Sequence, residues 1–372
     1  MEMLLRSAVY FIKHLFFKKE YDVIFYYPQH FNRGEDQENQ YFKNLIRTCQ
    51  KHRLRYLIFE EPDRFSNCNR NSFSIPFDFI FYLILILRKV YYFKFGVRVI
   101  DKRIGGFLSK TFFRGIIFKN IVTISQSMVS VFRGLNSTCF IFDVQHGIIH
   151  PNKPNYLMNR IPENNLKEND VNILFSGEAY QNLLINNDST SFFKDHSFVI
   201  GNHINVGQNT YTKFNNNILV TLQFTQDHTP DENKLLLESL ERLIVSEDRK
   251  NTFYLKHHPR FNNDVNLDKL LALINVNVAP ADIQEAFKIC SLHLTAYSTS
   301  VFEAALVGIP TLIINPIEKF NYFQKYFYYN SKYEIKDFSD AKFYLKQSEK
   351  VKAWAISYYS NYNHEDFLKL LR

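Results

Sequence analysis

From Cys290 to Asn315 the chain reads C-S-L-H-L-T-A-Y-S-T-S-V-F-E-A-A-L-V-G-I-P-T-L-I-I-N. A strand, a hydroxyl-rich turn, a helix and a second strand follow one another here, and Gly308 and Pro310 end the helix before Thr311-Leu312-Ile313-Ile314. A unit of this kind belongs in a parallel α/β sheet, and its turn is suited to a phosphate. A helix leaves its first N–H groups without partners and carries a partial positive charge there. Tyr297-Ser298-Thr299-Ser300, at the strand-to-helix turn, can therefore seat an anion, with Ser298, Thr299 or Ser300 adding a hydroxyl donor. The same groups can also serve a plain N-cap, in which Glu303 completes a capping box from Ser300. Val301, Ala304, Ala305 and Leu306 supply the apolar face of the helix.

At 372 residues the chain is long for one core, so two domains are expected, and 46% hydrophobic residues suffice for both. Lys and Arg number 45 against 37 Asp and Glu, a net charge of +8 that suits an anionic partner. Cys49, Cys68, Cys139 and Cys290 have no paired spacing, which fits a reducing compartment and gives no zinc motif. Residues 1–21 scatter Arg6, Lys13, His14, Lys18 and Lys19 among apolar residues without a small-residue cleavage site, so the expected location is cytoplasmic. Leu5, Val9, Ile12 and Phe16 recur at helical spacing among those cations, as in an amphipathic helix lying on anionic lipid. The apolar run Phe79 to Leu87 is too short to span a bilayer and reads as a buried or interfacial helix. Peripheral contact with the inner face of the cell membrane is a second expectation.

Strands and helices alternate along the first half. Val23 to Tyr27, a helix over Gln37 to Cys49 and Arg55 to Phe59 make a βαβ unit. Val97-Arg98-Val99-Ile100 takes the place of the next strand, with a helix around Ile121 to Phe132. Strands follow at Cys139 to Asp143, Asn172 to Phe175 and Ser197 to Ile200. The polar stretch Val206 to Asn217 reads as a linker, and alternation restarts at Ile218 to Leu222. A helix over Lys234 to Val245, a strand over Thr252 to Lys256, helices near Leu267 to Ile274 and Asp282 to Cys290, and the opening segment complete a second sheet. The expected domains are 1–205, 206–347 and a helical tail, 348–372, that crosses back to the first domain.

Ligands of such sheets bind beyond the carboxyl ends of the strands, and the polar motifs lie there. His257-His258-Pro259-Arg260 follows a strand of the second domain: a histidine can donate to a phosphate oxygen and Arg260 can bind one bidentately. In the first domain Asp143-Val144-Gln145-His146-Gly147 ends a strand, and Gly147 permits a tight turn that lifts the imidazole outward to take a proton from a hydroxyl. Asp143 either orients His146 or is itself the base. Asn32-Arg33-Gly34-Glu35-Asp36 follows the first strand, where Arg33 and Glu35 are candidates for acceptor contact together with Gly147. His146 and His150 have a zinc-like spacing, yet Gly147-Ile148-Ile149 between them lacks a glutamate and Pro151 follows, so no metal site is expected. The chain has no P-loop, no Gly-x-Ser-x-Gly elbow and no Gly-x-Gly-x-x-Gly after the first strand, which sets aside P-loop kinases, serine hydrolases and ordinary dehydrogenases.

Three motifs together resemble GT-B glycosyltransferases of the bacterial surface-polysaccharide type, which include sialyl- and polysialyltransferases, Kdo transferases and CDP-glycerol glycerophosphotransferases. They are His258-Pro259, Ser298-Thr299-Ser300 with Glu303 and the Gly308-Ile309-Pro310 break, and His146-Gly147. The resemblance implies two Rossmann-like doubly wound domains facing a central cleft. It also implies a metal-independent transferase, with no cofactor, that moves a sugar from a nucleotide-activated donor, CMP-linked in some of these enzymes, to a hydroxyl of a glycan or lipid-linked glycan. His257, His258, Arg260, Ser298, Thr299, Ser300 and Glu303 would then hold the donor, and His146, Asp143 and His258 would carry catalysis. The Ser-Thr-Ser order departs from the plain Ser-Ser pair of the family, leaving open which hydroxyl meets the phosphate. Two other readings share these features: a nucleotide-sugar isomerase like UDP-GlcNAc 2-epimerase, and a non-catalytic, membrane-associated scaffold of polysaccharide assembly. Nothing in the chain points to nucleic acid.

Overall fold

The computed structural model describes residues 2–371 except 33–37, 64–68, 92–96, 203, 205–213, 226–227, 248–249, 259–264, 319–320, 330–332, 334–337 and 339–340. The chain divides into two compact units, Met1–His203 with Asn361–Arg372, and Ile204–Ser360.

The first unit opens with α1 (Glu2–Lys13), β1 (Lys19–Pro28), α2 (Lys43–Lys51), β2 (Tyr56–Glu61) and β3 (Ile75–Pro76). It continues with α3 (Asp78–Tyr91), α4 (Val97–Lys110), β4 (Ile116–Ile124), α5 (Val129–Leu135) and β5 (Phe140–Val144). A short antiparallel ladder of β6 (Leu157–Met158) and β7 (Ile161–Pro162) precedes α6 (Asn164–Glu168), β8 (Val171–Phe175), α7 (Glu178–Asn187), α8 (Phe192–Asp195) and β9 (Ser197–Val199). Seven strands pair in parallel in the order β3-β2-β1-β4-β5-β8-β9. Ile24 of β1 sits between Leu57 and Ile121. Alternate residues Val23, Phe25, Tyr27, Val122, Ile124, Phe142 and Val144 share one buried cluster, as the period of two requires. On α1, Phe11 is fully buried and stacks on Phe59 at 5.4 Å between ring centroids.

The structure differs from the sequence reading in two neighbouring places. Val97 to Ile100 begins the helix α4, because Ile100, Ile104 and Leu108 continue at one-turn spacing and all three are buried. Ile121 to Ile124 is the end of β4, and the helix expected from Ile121 starts only at Val129. Its β-branched run is central to the sheet, paired with β1 on one side and β5 on the other, and burial on both faces hides the alternation that marks a strand.

The second unit contains β10 (Asn217–Thr221), α9 (Pro230–Ser246), β11 (Thr252–Lys256), α10 (Asp268–Leu271) and β12 (Val276–Val278). Then come α11 (Ile283–Ile289), β13 (Leu292–Thr295), α12 (Ser300–Leu306) and β14 (Thr311–Ile313), all five strands parallel in the order β12-β11-β10-β13-β14. The helix Ala341–Tyr358 packs on α12, with Trp354 stacked on Phe302 at 4.7 Å and 9°. The helical tail expected over Ser348 to Leu371 is broken after Tyr358. Asn361 bridges Asn202, the Tyr362 hydroxyl meets Thr48 Oγ1 at 2.9 Å, and a separate helix, His364–Leu370, buries Phe367 in the core of the first unit.

Helices α4 and α5 touch at glycines. A Cβ on Gly105 would lie 2.1 Å from Val131 O and 2.8 Å from Gly134 Cα, both backbone atoms, whereas one on Gly106 meets nothing closer than Gly134 O at 3.9 Å. Gly105→Ala is expected to cost about 1–3 kcal/mol by forcing the helices apart, and Gly106→Ala to gain about 0.5–1 kcal/mol from helix propensity. Urea denaturation of the two variants checks the contrast, and equal midpoints would show that the glycine contact is slack.

Candidate functional site

In each unit the strand order reverses once, between β1 and β4 in the first and between β10 and β13 in the second. Loops from the two sides part at such a point and leave a crevice at the carboxyl ends of the strands.

In the first unit β4 runs into Ser125 and Gln126, whose φ values of 60° and 55° are left-handed. Consecutive non-glycine residues rarely take that conformation unless something holds them. Asp143 does so: its Oδ1 accepts the Gln126 N–H at 2.7 Å from the adjoining strand, where Asp143 pairs with Thr123. Asp143 is fully buried, and among the described residues its Oδ2 has no hydrogen-bond partner within 3.5 Å. Burial pushes its carboxyl up to about 7, against the opposing pull of the Gln126 N–H, of Lys153 and of the Tyr156 hydroxyl. Burial also lowers the Lys153 ammonium, which donates to Ile148 O at 2.7 Å.

The turn held by Asp143 places Ser125 Oγ 3.1 Å from His146 Nε2. His146 lies just beyond β5 and is followed by Gly147 at φ 65°, a conformation that favours glycine. The Phe31 ring packs edge-on against the imidazole at 5.6 Å, and His30 beside it bonds Asp63 at 2.7 Å through Nδ1. Burial, then the nearby Lys153 and His30, hold His146 down at about 4, so at neutral pH it is uncharged and able to take a proton. The structure thus brings Asp143 and His146 together through Ser125 and Gln126. Arg33 and Glu35 lie outside the described residues. The sequence reading missed Ser125, Gln126, Lys153 and Tyr156. A signal existed in Ser125-Gln126-Ser127, a polar break after an apolar run, but it was absorbed into the helix expected over Ile121 to Phe132.

In the second unit buried hydroxyls and an imidazole tie the strand ends to α12. Thr221 Oγ1, at the end of β10, lies 2.9 Å from His293 Nε2, donates to Thr295 Oγ1 at 2.9 Å and meets Ser300 Oγ at 3.1 Å. His293 Nδ1 contacts Thr311 Oγ1 at 2.9 Å, and burial lowers its pKa to about 3. Ser300 is therefore an interior hydroxyl at the first residue of α12. Ser298 is half-buried and accepts the Ser300 N–H at 3.2 Å, while Thr299 is exposed at the N-cap without a side-chain cap bond, so the capping box does not form. Glu303 is partly screened, and its carboxyl is pushed up to about 7 by burial and by the charge of Asp282. Beside this turn Tyr297, buried, hydrogen-bonds His228, whose Nδ1 lies 3.1 Å from Asn233 Oδ1. His257 and His258 directly follow β11, at the same sheet edge as Ser298, with His257 exposed and His258 half-buried. Pro259 and Arg260 lie outside the described residues. Among the described residues no group of His, Cys, Asp and Glu is arranged to hold a metal ion.

No family model matches the sequence, and no curated protein matches it. Solved structures do share its fold. The UDP-GlcNAc 2-epimerase from Methanocaldococcus jannaschii is 13% identical with a TM-score of 0.53, over 95% of this chain and 99% of that one. The wall teichoic acid polymerase TagF is 13% identical with a TM-score of 0.51, over 99% and 92%. MnaA from S. aureus, in a structure with UDP, is 11% identical with a TM-score of 0.51, over 94% and 95%. The chain has the GT-B fold, an α/β architecture with two parallel sheets.

The buried carboxyl makes stability depend on pH in a definite direction. Below about pH 4 Asp143 is protonated in the folded and the unfolded chain alike. Between there and about pH 7 only the unfolded chain ionises, so the folded state loses stability as pH rises, and above pH 7 the loss is complete. Asp143→Asn removes this titration and is expected to gain on the wild type by up to about 4 kcal/mol between pH 4 and pH 8, at roughly 1.4 kcal/mol for each pH unit crossed. Urea denaturation of both proteins across that range tests it. A difference that does not vary with pH would mean that Asp143 is ionised in the fold.

Proposed function

We propose that the protein is a glycosyltransferase that moves a sugar from a nucleotide-activated donor to a hydroxyl of a surface-glycan acceptor. The observation that carries this reading is the uncharged His146 imidazole at the switch point of the first unit, 3.1 Å from the Ser125 hydroxyl and followed by a glycine turn. A partly accessible neutral imidazole suits removal of a proton from a hydroxyl. The neighbouring carboxylate of Asp143 is sealed from solvent and committed to the Gln126 N–H, so it acts as a positioning group rather than as the base.

In the step proposed, the acceptor oxygen bonds to the anomeric carbon of the donor as its proton passes to His146. The bond from that carbon to the phosphate oxygen breaks, and the electron pair leaves with the nucleotide. His258, Ser298 and Thr299, at the carboxyl edge of the second sheet, are the groups assigned to the departing phosphate, while Ser300 holds the turn from inside. Glu303, with its raised carboxyl, is assigned to the donor nucleotide. No step requires a metal, so turnover is expected to persist in EDTA.

An isomerase acting on the nucleotide-sugar is the second reading, favoured by the fold shared with the M. jannaschii epimerase. A panel of CMP-, CDP- and UDP-sugars, incubated with and without glycan acceptors, separates the two: a transferase releases nucleotide only when acceptor is present, whereas an isomerase converts the sugar alone. His146→Ala is expected to lower kcat by about 10²- to 10⁴-fold while the thermal stabilisation by nucleotide stays unchanged. His258→Ala is expected to weaken that stabilisation. Unaltered turnover in His146→Ala would remove the base assignment, and absence of stabilisation by any nucleotide would favour a non-catalytic scaffold.

A further inference from the structure

Helix α1 is apolar on two opposite sides. Ser7, Phe11 and His14 face inward and are buried, with Phe11 packed among Phe59, Phe77 and Phe113. At 100° per residue the opposite side carries Leu5, Val9 and Ile12, and Phe16 in the turn that follows continues their stripe. Their exposures are 65% for Leu5, 57% for Val9, 47% for Ile12 and 79% for Phe16, and Phe17 adds 63%. A helix that rests on a core normally turns polar residues outward, so this outward stripe reverses the usual pattern. The end of α1 is fixed in place: a Cβ on Gly115, at the start of β4, would lie 2.0 Å from His14 O and 2.4 Å from Phe17 O.

The neighbouring helix also exposes apolar residues, and cations lie close by. Helix α3 packs along α1, with the Phe79 N–H donating to Ser7 Oγ at 3.1 Å, and it exposes Ile86 at 59% and Val90 at 65%. Arg6 and Lys13 border the stripe on one side, Lys18 follows it in the chain and Lys89 is exposed on α3, while Glu2 is the one exposed carboxylate of α1. Glu20 is engaged by Arg55, and among the described residues no carboxylate pairs with Arg6, Lys13, Lys18 or Lys89. No helix among the described residues is long and apolar enough to cross a membrane.

From this pairing of an outward apolar stripe with a border of unneutralised cations, we infer that the α1 and α3 face docks the protein on an anionic lipid surface. The apolar side chains enter the boundary between headgroups and acyl chains, and the cations meet the lipid phosphates. A second copy of the chain fits this surface less well, since a two-fold contact would set the same cations against one another. The proposal is independent of the reaction catalysed, because its readout is binding.

Cosedimentation of the full chain with vesicles tests it. Vesicles of phosphatidylcholine containing about a third phosphatidylglycerol are expected to pellet the protein at least tenfold more strongly than phosphatidylcholine alone, with the difference shrinking at high salt. The double variant Leu5→Glu, Phe16→Glu is expected to lose at least tenfold in vesicle binding while keeping its circular dichroism spectrum and melting temperature, since both positions are exposed. A second variant, Arg6→Gln with Lys13→Gln, is expected to lose the preference for anionic vesicles. The proposal is overturned by a wild type that stays in the supernatant with both vesicles, by a glutamate variant that binds as well as the wild type, or by equal binding to neutral and anionic lipid. It is equally overturned if sedimentation velocity shows a dimer that the glutamate variant abolishes.

Discussion

Parallel pairing of every strand in both main sheets is the constraint from which the remaining architecture follows. Parallel neighbours cannot be joined by tight hairpins, so each connection crosses a face of the sheet, and all carboxyl ends gather at one edge. That edge collects the loops, and the single reversal of strand order in each unit opens a crevice in it. The polar groups at these two points must be placed by backbone that is already rigid. In the first unit this is done by a carboxylate on β5 gripping a left-handed turn after β4, and in the second by a threonine on β10 joined to an imidazole on β13.

The two devices differ in their electrostatics. The second unit uses neutral partners, hydroxyls and an uncharged His293, which satisfy one another at little desolvation cost. The first buries an ionisable carboxyl, which costs stability once it is charged.

Much of the fold was legible in the sequence because parallel sheets are written in short apolar runs separated by polar turns. Ile218 to Leu222, Thr252 to Lys256 and the Cys290 to Asn315 segment appear nearly where the chain places them. Legibility failed between Val97 and Phe132, where a β-branched run opens a helix and a run read as helix is the central strand β4. There the deciding information is which elements bury both faces, and no local pattern contains it. Positions of the site motifs were legible, but their division of labour was not. That Ser300 lies inside while Ser298 and Thr299 lie nearer the surface depends on Thr221 and His293, far away in sequence. Ser125 was hidden for a similar reason, since its importance comes from a carboxylate on the next strand.

The return of the chain to the first unit at Asn361 has an order-of-assembly consequence. The second unit is one continuous stretch, so all of its strands are available before Asn361–Arg372 are synthesised. The first unit is not: Phe367, in its core, and Asn361, which bridges Asn202, come from residues that follow the second unit in the chain. On a ribosome the second unit can therefore be complete while the first still lacks part of its interior, the reverse of the usual order in which an N-terminal domain closes first. The unit that carries His146 is thus closed by a short helix that is synthesised only after the whole of the second unit.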